Sequence, residues 1–391
     1  MGVAASDSPA RPRLVPNRHV RPAPGPRPTR RPLEFHASLP GYAPTPLVDA
    51  PALAERLGVA RVYVKDESRR LGLPSFKILG ASWATYRAVV DRVEGDIRAS
   101  PSLEELRARL ASARPLALVA ATDGNHGRAV ARMAALLGLE SRIFVPAGTA
   151  QARIRAIESE GATVTVVDGT YDDAVARSAE EAGEASLVVS DTSWPGYEDV
   201  PRWVIEGYST ILWEIDDELA RRNARPPDVV VVQIGVGALA AAVTRHFRRA
   251  NSGIAPTIVA VEPTRAACVL ASVAAGRIVS VAGPHDSIMA GLNCGTPSVV
   301  AWPIVSSGID LFLAIDDDRA REAMRLLAEA SVVSGETGAA GVGGLVDLVE
   351  SGERDAASLS GDAHVLVFST EGATDPAAYE RIVGRSPERV A

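Results

Sequence analysis

Short apolar runs of strand length recur along this chain, and helix-period segments separate them. Residues 116–121, 141–145, 163–167 and 187–190 read as strands, with helices over 128–137, 151–160 and 171–182 between them. Residues 229–234, 257–261 and 364–369 repeat the theme, the first of them the most apolar stretch of the chain. A strand apolar on both faces needs cover on both, and strand–helix–strand crossovers supply it. The alternation therefore predicts an α/β fold of parallel sheets flanked by helices. Residues 61–65 read as a further strand and 77–93 as a helix, while Ser102-Leu103-Glu104-Glu105 has the spacing of a capping box. At 391 residues the chain is long enough for two domains with cores of their own. Residues 1–33 are rich in Pro and Arg, lack apolar periodicity and read as a flexible arm.

Ligands in α/β folds collect where strands end and helices begin. The residues at those junctions are unusual here. Of 41 basic residues only two are lysine, Lys65 and Lys77. Solvated surface charge is served by either type, so the bias marks positions where arginine will not serve. A guanidinium keeps its proton, whereas an amine can release one and attack a carbonyl. Lys77 opens a helix soon after a strand and is the candidate nucleophile. Gly235-Val236-Gly237-Ala238 lies between the most apolar strand and a helix, where backbone N–H groups suit a phosphate. It is not a full dinucleotide fingerprint. A lysine at one junction and a phosphate cradle at another suggest pyridoxal phosphate.

Two acidic junction residues stand out. In Asp123-Gly124-Asn125-His126-Gly127, Asn125 can donate to an anionic oxygen, and the helix start favours a carboxylate ligand. Asp123 would repel that carboxylate unless the substrate carries a second amine or Asp123 moves protons; capping the following helix is the alternative. Asp191 ends a strand before Trp194 and Tyr197, and alone reads as a turn residue. His126 reads as structural. In Ser369-Thr370-Glu371-Gly372 a hydroxyl suits a ring nitrogen that it would hydrogen-bond without protonating; a local turn is the alternative.

Other classes fit poorly. A net charge of −7 argues against nucleic acid as a partner. No apolar run has the length of a membrane span, and the N-terminus has no secretory apolar segment, so the expected location is cytoplasmic. Two cysteines, Cys268 and Cys294, build neither a disulfide scaffold nor a Cys-based metal site, and no metal is expected.

Asp66-Glu67-Ser68, Ser75-Phe76-Lys77, the Asp123–Gly127 loop, Gly235–Ala238 and Ser369–Gly372 occur in the order seen in fold-type II pyridoxal-phosphate enzymes. The chain resembles that tryptophan-synthase-β and threonine-dehydratase group over about residues 34–385. Within the group it is most similar to the diaminopropionate ammonia-lyases. The marks are Asp123 in its loop, Asp191-Thr192-Ser193-Trp194-Pro195-Gly196-Tyr197, Gly207-Tyr208-Ser209-Thr210, Ala290-Gly291-Leu292-Asn293-Cys294-Gly295, and Ser369-Thr370-Glu371-Gly372-Ala373-Thr374-Asp375. It departs from the family pattern at Ala81, Glu206 and Ala373.

The resemblance implies two domains, each with a twisted, mostly parallel sheet flanked by helices. A large one would use residues 34–97 and 196–391, and a small mobile one residues 98–195. It implies a homodimer acting on a small amino acid. Lys77 would be the Schiff-base lysine and a base, with Phe76 beside it. Asn125 would bond the ring oxygen, Gly235, Val236, Gly237 and Ala238 would hold the phosphate, and Ser369 or Thr370 would face the pyridine nitrogen. Asp123 would be a second acid–base group, and Asp191 the carboxylate that recognises a distal amine. The implied reaction is α,β-elimination of 2,3-diaminopropionate; serine or threonine dehydration and β-replacement are alternatives on the same scaffold.

Overall fold

The computed structural model describes residues 13–25, 27–94, 102–111, 116–248 and 255–390. In chain order its strands are β1 (Leu14–Pro16), β2 (Leu47–Asp49), β3 (Arg61–Asp66), β4 (Ala117–Ala121), β5 (Glu140–Pro146), β6 (Thr163–Val167), β7 (Ser186–Val188), β8 (Val229–Gln233), β9 (Thr257–Pro263), β10 (Leu311–Ile315) and β11 (His364–Ser369). They form a seven-stranded sheet in the order β1-β10-β9-β8-β11-β3-β2 and a four-stranded sheet in the order β6-β5-β4-β7. The small sheet is wholly parallel. In the large one only the edge strands β1 and β2 run antiparallel to their neighbours.

β8 sits centrally because Val-Val-Val-Val is at home only where both faces are covered. Val231 pairs with Val259 on one side and Val367 on the other. Val229 and Val231 pack into a core under the helices Pro51–Leu57, Asp317–Glu329 and Ala340–Glu350. Val230 and Val232 point into the opposite core, shared with Lys77–Glu94, Asp199–Arg221 and Ala238–Phe247. The two-residue period of a strand divides the cores.

Lys77–Glu94 touches both halves of the molecule, packing on Asp199–Arg221 and on Asn125–Leu137 of the small sheet. It crosses Asp199–Arg221 at unusually short range. A Cβ on Gly80 would lie 2.5 Å from the Tyr208 ring, and one on Gly207 would lie 2.4 Å from the Leu79 carbonyl oxygen. Only glycine admits that crossing.

The second lysine is structural. Lys65 Nζ is buried on β3 and donates to Glu214 Oε2 at 2.7 Å and to the Thr45 carbonyl at 2.8 Å. Arg70 bridges Glu214 and Glu67 in the same dry cluster.

Several elements differ from the sequence reading. Residues 1–12 of the expected arm lie outside the described residues, but the part that follows is docked. β1 pairs with β10, Val15 opposite Phe312. Residues Arg31–Ala37 form a helix whose His36 is fully buried, its Nε2 donating to the Leu79 carbonyl at 2.9 Å. Strands β1, β2 and β10 were not expected. The capping box forms, Glu105 N bonding Ser102 Oγ at 3.2 Å and Ser102 N bonding Glu105 Oε2 at 2.6 Å. No helix among the described residues is long and apolar enough to cross a membrane.

Candidate active site

The carboxyl ends of both sheets face one cleft. β4 delivers Thr122 and Asp123, β8 delivers Gly235–Ala238, and β11 delivers Thr370 and Glu371, with Lys77 entering at a helix start. Asp191 follows β7. The Ala290–Cys294 segment closes one side.

Lys77 Nζ donates to Asp191 Oδ2 at 2.5 Å, and Tyr171 OH donates to Asp191 Oδ1 at 3.0 Å. Burial alone would push the Lys77 ammonium down. The Asp191 carboxylate reverses this, with Tyr208 and Asp123 adding to it, and holds the ammonium above the usual lysine range. Burial would likewise raise Asp191, but the Lys77 charge and the hydrogen bonds from Lys77 and Tyr171 together overcome it and keep the carboxylate well below its usual range. His126 Nε2 donates to the Val189 carbonyl at 2.7 Å, which leaves Nδ1 as a lone pair 4.0 Å from Asp191. Burial lowers His126, so it stays neutral, a structural residue.

Asp123 is half-buried in the cleft wall, its Oδ2 3.3 Å from where a Cβ on Gly291 would lie. It does not cap the next helix: Gly124 is the N-cap, without a side-chain cap bond, and Thr122 Oγ1 accepts the Gly124 N–H at 2.8 Å. Phe76 is buried beside Lys77, its ring centroid 4.7 Å from that of Tyr208.

The Gly235–Ala238 turn is bare backbone. Gly237 has φ +110°, a conformation that disfavours side chains, and opens Ala238–Phe247. A Cβ on Gly235 would sit 3.2 Å from Cys294 Sγ and from the Gly291 carbonyl oxygen. The first N–H groups of a helix have no partner within it, so this end suits a phosphate. An amine on one wall and an anion cradle on another are the donor set pyridoxal phosphate requires, and the residues present fit it.

The sequence leaves Ser369 and Thr370 as alternatives, and the structure separates them. Ser369 is fully buried and its Oγ donates to Ser334 Oγ at 2.8 Å, away from the cleft. Thr370 lines the cleft, and its Oγ1 accepts from Gln233 Nε2 at 2.9 Å. With that lone pair engaged, its proton is free to be donated.

Tyr171, Tyr208, Gln233 and Glu371 also line the cleft, and the sequence reading gives none of them a role there. Asn125 Nδ2 donates to the Glu371 carboxyl, and Thr337 N reaches the other oxygen at 3.2 Å. Burial pushes Glu371 up to about 7, against the nearby Arg153 charge. The one usable signal for Gln233 is a lone amide ending an all-valine strand. Ala81, Glu206 and Ala373, the departures from the family pattern, are not among the lining residues. Cys268 and Cys294 are free, buried thiols. No group of three or more His, Cys, Asp or Glu among the described residues is placed to hold a metal.

Residues 38–371 match the family described as pyridoxal-phosphate dependent enzyme. The diaminopropionate ammonia-lyase of Salmonella typhimurium is 39% identical over 374 residues, 90% of this chain and 92% of that one. That of Escherichia coli K12 is 37% identical over 368 residues, 92% of each. The solved Escherichia coli diaminopropionate ammonia-lyase in complex with D-serine superposes with a TM-score of 0.87 at 34% identity, over 97% of this chain and 98% of that one. The same enzyme with an aminoacrylate-PLP reaction intermediate gives 0.86, covering 95% and 96%. The fold is fold-type II, and the chain belongs to the family of pyridoxal-phosphate dependent enzymes.

Proposed function

We propose that this enzyme is a diaminopropionate ammonia-lyase, converting 2,3-diaminopropionate to pyruvate and ammonia. One observation carries the reading beyond the family. Asp191 is a buried carboxylate whose pocket already holds an alkylammonium, that of Lys77, with Tyr171 on its other oxygen. Once the Lys77 nitrogen is engaged by the cofactor, Asp191 needs another cation, because an unpaired buried carboxylate is costly. A distal ammonium on the substrate provides it. The hydroxyl of serine or threonine does not.

Bound pyridoxal phosphate would supply an aldehyde for the substrate amine and a ring that takes up the electron pair left at the α-carbon. The chain does the rest. Residues Gly235, Val236, Gly237 and Ala238 would hold the phosphate through backbone. The Thr370 hydroxyl would meet the ring nitrogen and add no full charge there. Asn125 Nδ2, kept in place by Glu371, would be the donor for the ring oxygen, and Phe76 fixes the start of the Lys77 helix. Lys77 Nζ takes the α-proton from one side of the substrate, and the Asp123 carboxylate takes it from the other. Asp191 keeps the distal nitrogen protonated, the state in which it leaves as ammonia. Residues 98–195 act as a small domain that closes on the large one, 34–97 and 196–391, excluding water and carrying Asp123, Tyr171 and Asp191 in together. The working form is a cytoplasmic homodimer with a small amino acid as its partner, and neither nucleic acid nor membrane.

The test is pyruvate release by cofactor-loaded protein from D- and L-2,3-diaminopropionate, beside D- and L-serine and threonine. Fast release from the diaminopropionates and little from the others is expected. Preference for serine or threonine would make the enzyme a dehydratase. No pyruvate from any, with a product formed when a nucleophile is added, would make it a β-replacement enzyme. Asp123→Asn is expected to keep the cofactor's absorbance and to slow one enantiomer by about 10²-fold or more relative to the other, the scale of a lost general base. Equal rates on both would remove Asp123 from this role.

A further inference from the structure

A second cavity shares no lining residue with the cleft. Its walls come from Lys77–Glu94, Asp199–Arg221 and Ala238–Phe247, and its rim from the docked arm. Four arginines line it: Arg27 and Arg31 on the rim, Arg87 and Arg245 deeper. Against them stands one carboxylate, Glu206, in a chain whose net charge is −7. Glu206 is already engaged, accepting from Trp83 Nε1 at 3.1 Å and from Arg87 at 3.3 Å.

The inner wall carries donors with nothing to donate to. Arg87 Nε, Arg245 Nε and Ser209 Oγ are buried and find no hydrogen-bond partner among the described residues. Ser209 is only 3% exposed. Burial pushes the Arg245 guanidinium down, and Glu206 does not restore it. Buried donors without acceptors are rare in native proteins, and guanidiniums and a hydroxyl around one cavity suit the oxygen acceptors of a planar or tetrahedral anion.

We propose that this cavity binds a small oxyanion of two or more negative charges, of the phosphate or dicarboxylate class. The Arg27 and Arg31 cluster, which the catalytic reading leaves without a role, forms its mouth. Its occupant lies against the same two helices that carry Lys77 and Tyr208, whose backbones meet at Gly80 and Gly207. The site is therefore mechanically continuous with the cleft while chemically separate from it. This inference does not depend on which amino acid the enzyme consumes.

The experiment uses cofactor-loaded protein, so that the Gly235–Ala238 cradle is filled. It is titrated calorimetrically with inorganic phosphate and, separately, with malonate. Saturable binding of at least one of them, one per chain, is expected; the tighter of the two identifies the class. Arg245→Gln should weaken it at least tenfold, and Arg31→Gln, a rim substitution that leaves the fold alone, severalfold, with cofactor content unchanged. No saturable binding of either anion, or wild-type affinity in both variants, would overturn the proposal. Should Arg245→Gln fail to fold, Arg31→Gln decides.

Discussion

Lys77→Ala should leave a protein that loses pyridoxal phosphate on dialysis and turns over diaminopropionate about 10³-fold more slowly or worse. Two losses combine. The nitrogen that attaches the cofactor is gone, and so is a base whose proton transfer alone is worth ~10²–10⁴ in rate. The variant also strips Asp191 of its cation. Asp191 stays below the carboxylate range because the Lys77 charge, with the hydrogen bonds from Lys77 and Tyr171, overcomes burial. Without that charge burial has the upper hand, and the carboxyl moves up. Arginine does not rescue, since it restores the charge but not a releasable proton. A second readout is independent of turnover. Borohydride fixes an imine irreversibly, and the chain offers only two lysines, Lys65 and Lys77. Peptide mapping of reduced, cofactor-loaded wild type should find the label on Lys77 and none on Lys65. A label on Lys65, or full cofactor retention by Lys77→Ala, would sink the assignment.

The lysine bias shows both what the sequence reveals and what it hides. Both lysines survive in a chain that otherwise uses arginine, but for different physical reasons. Lys77 enters a cleft. Lys65 lies in a dry cluster where its own bonding partners, Thr45 and Glu214, stand 20 and 149 residues away, so no local pattern marks it as structural. The same distinction runs through the fold. β8 is legible because valine on both faces dictates burial. β1 and β2 are three residues each and are held by backbone bonds at sheet edges, which leave no side-chain period to read. β10, five apolar residues, abuts Asp317–Glu329 so closely that the helix pattern obscures it. In the site, glycines and a rare lysine announce themselves. Tyr171, Tyr208 and Gln233 do not, because a tyrosine or an amide in an apolar segment is ordinary core until its partners are known. Ser369 and Thr370 are neighbours, and only the strand's alternation decides which hydroxyl meets the cleft.

Glu214→Ala, far from any chemistry, should cost about 3–5 kcal/mol of stability, the scale for uncovering a buried charge. In a protein of ordinary stability, about 5–15 kcal/mol, that is a large fraction. Glu214 accepts from Lys65 Nζ at 2.7 Å, from Arg70 at 2.6 and 2.8 Å, from Tyr42 OH at 2.8 Å and from Thr45 N at 3.2 Å. Removing it leaves two buried cations facing Glu67 alone. The loss then comes from the stranded charges and not from the intrinsic worth of the pairs. Adding Lys65→Met to Glu214→Ala should therefore recover part of the loss. Acid carries the same signature. Burial would raise the Glu214 carboxyl, but Arg70 and Lys65 hold it down to about 2, below its ordinary 4.5. A depressed carboxylate stabilises the fold above its unfolded value and ceases to do so as pH falls through the folded one. Wild type and variant should thus differ fully above about pH 4.5 and converge toward pH 2. Denaturant unfolding of the cofactor-loaded proteins across that range measures it. A gap below about 1 kcal/mol at neutral pH, the range of an exposed pair, would show that water reaches the cluster.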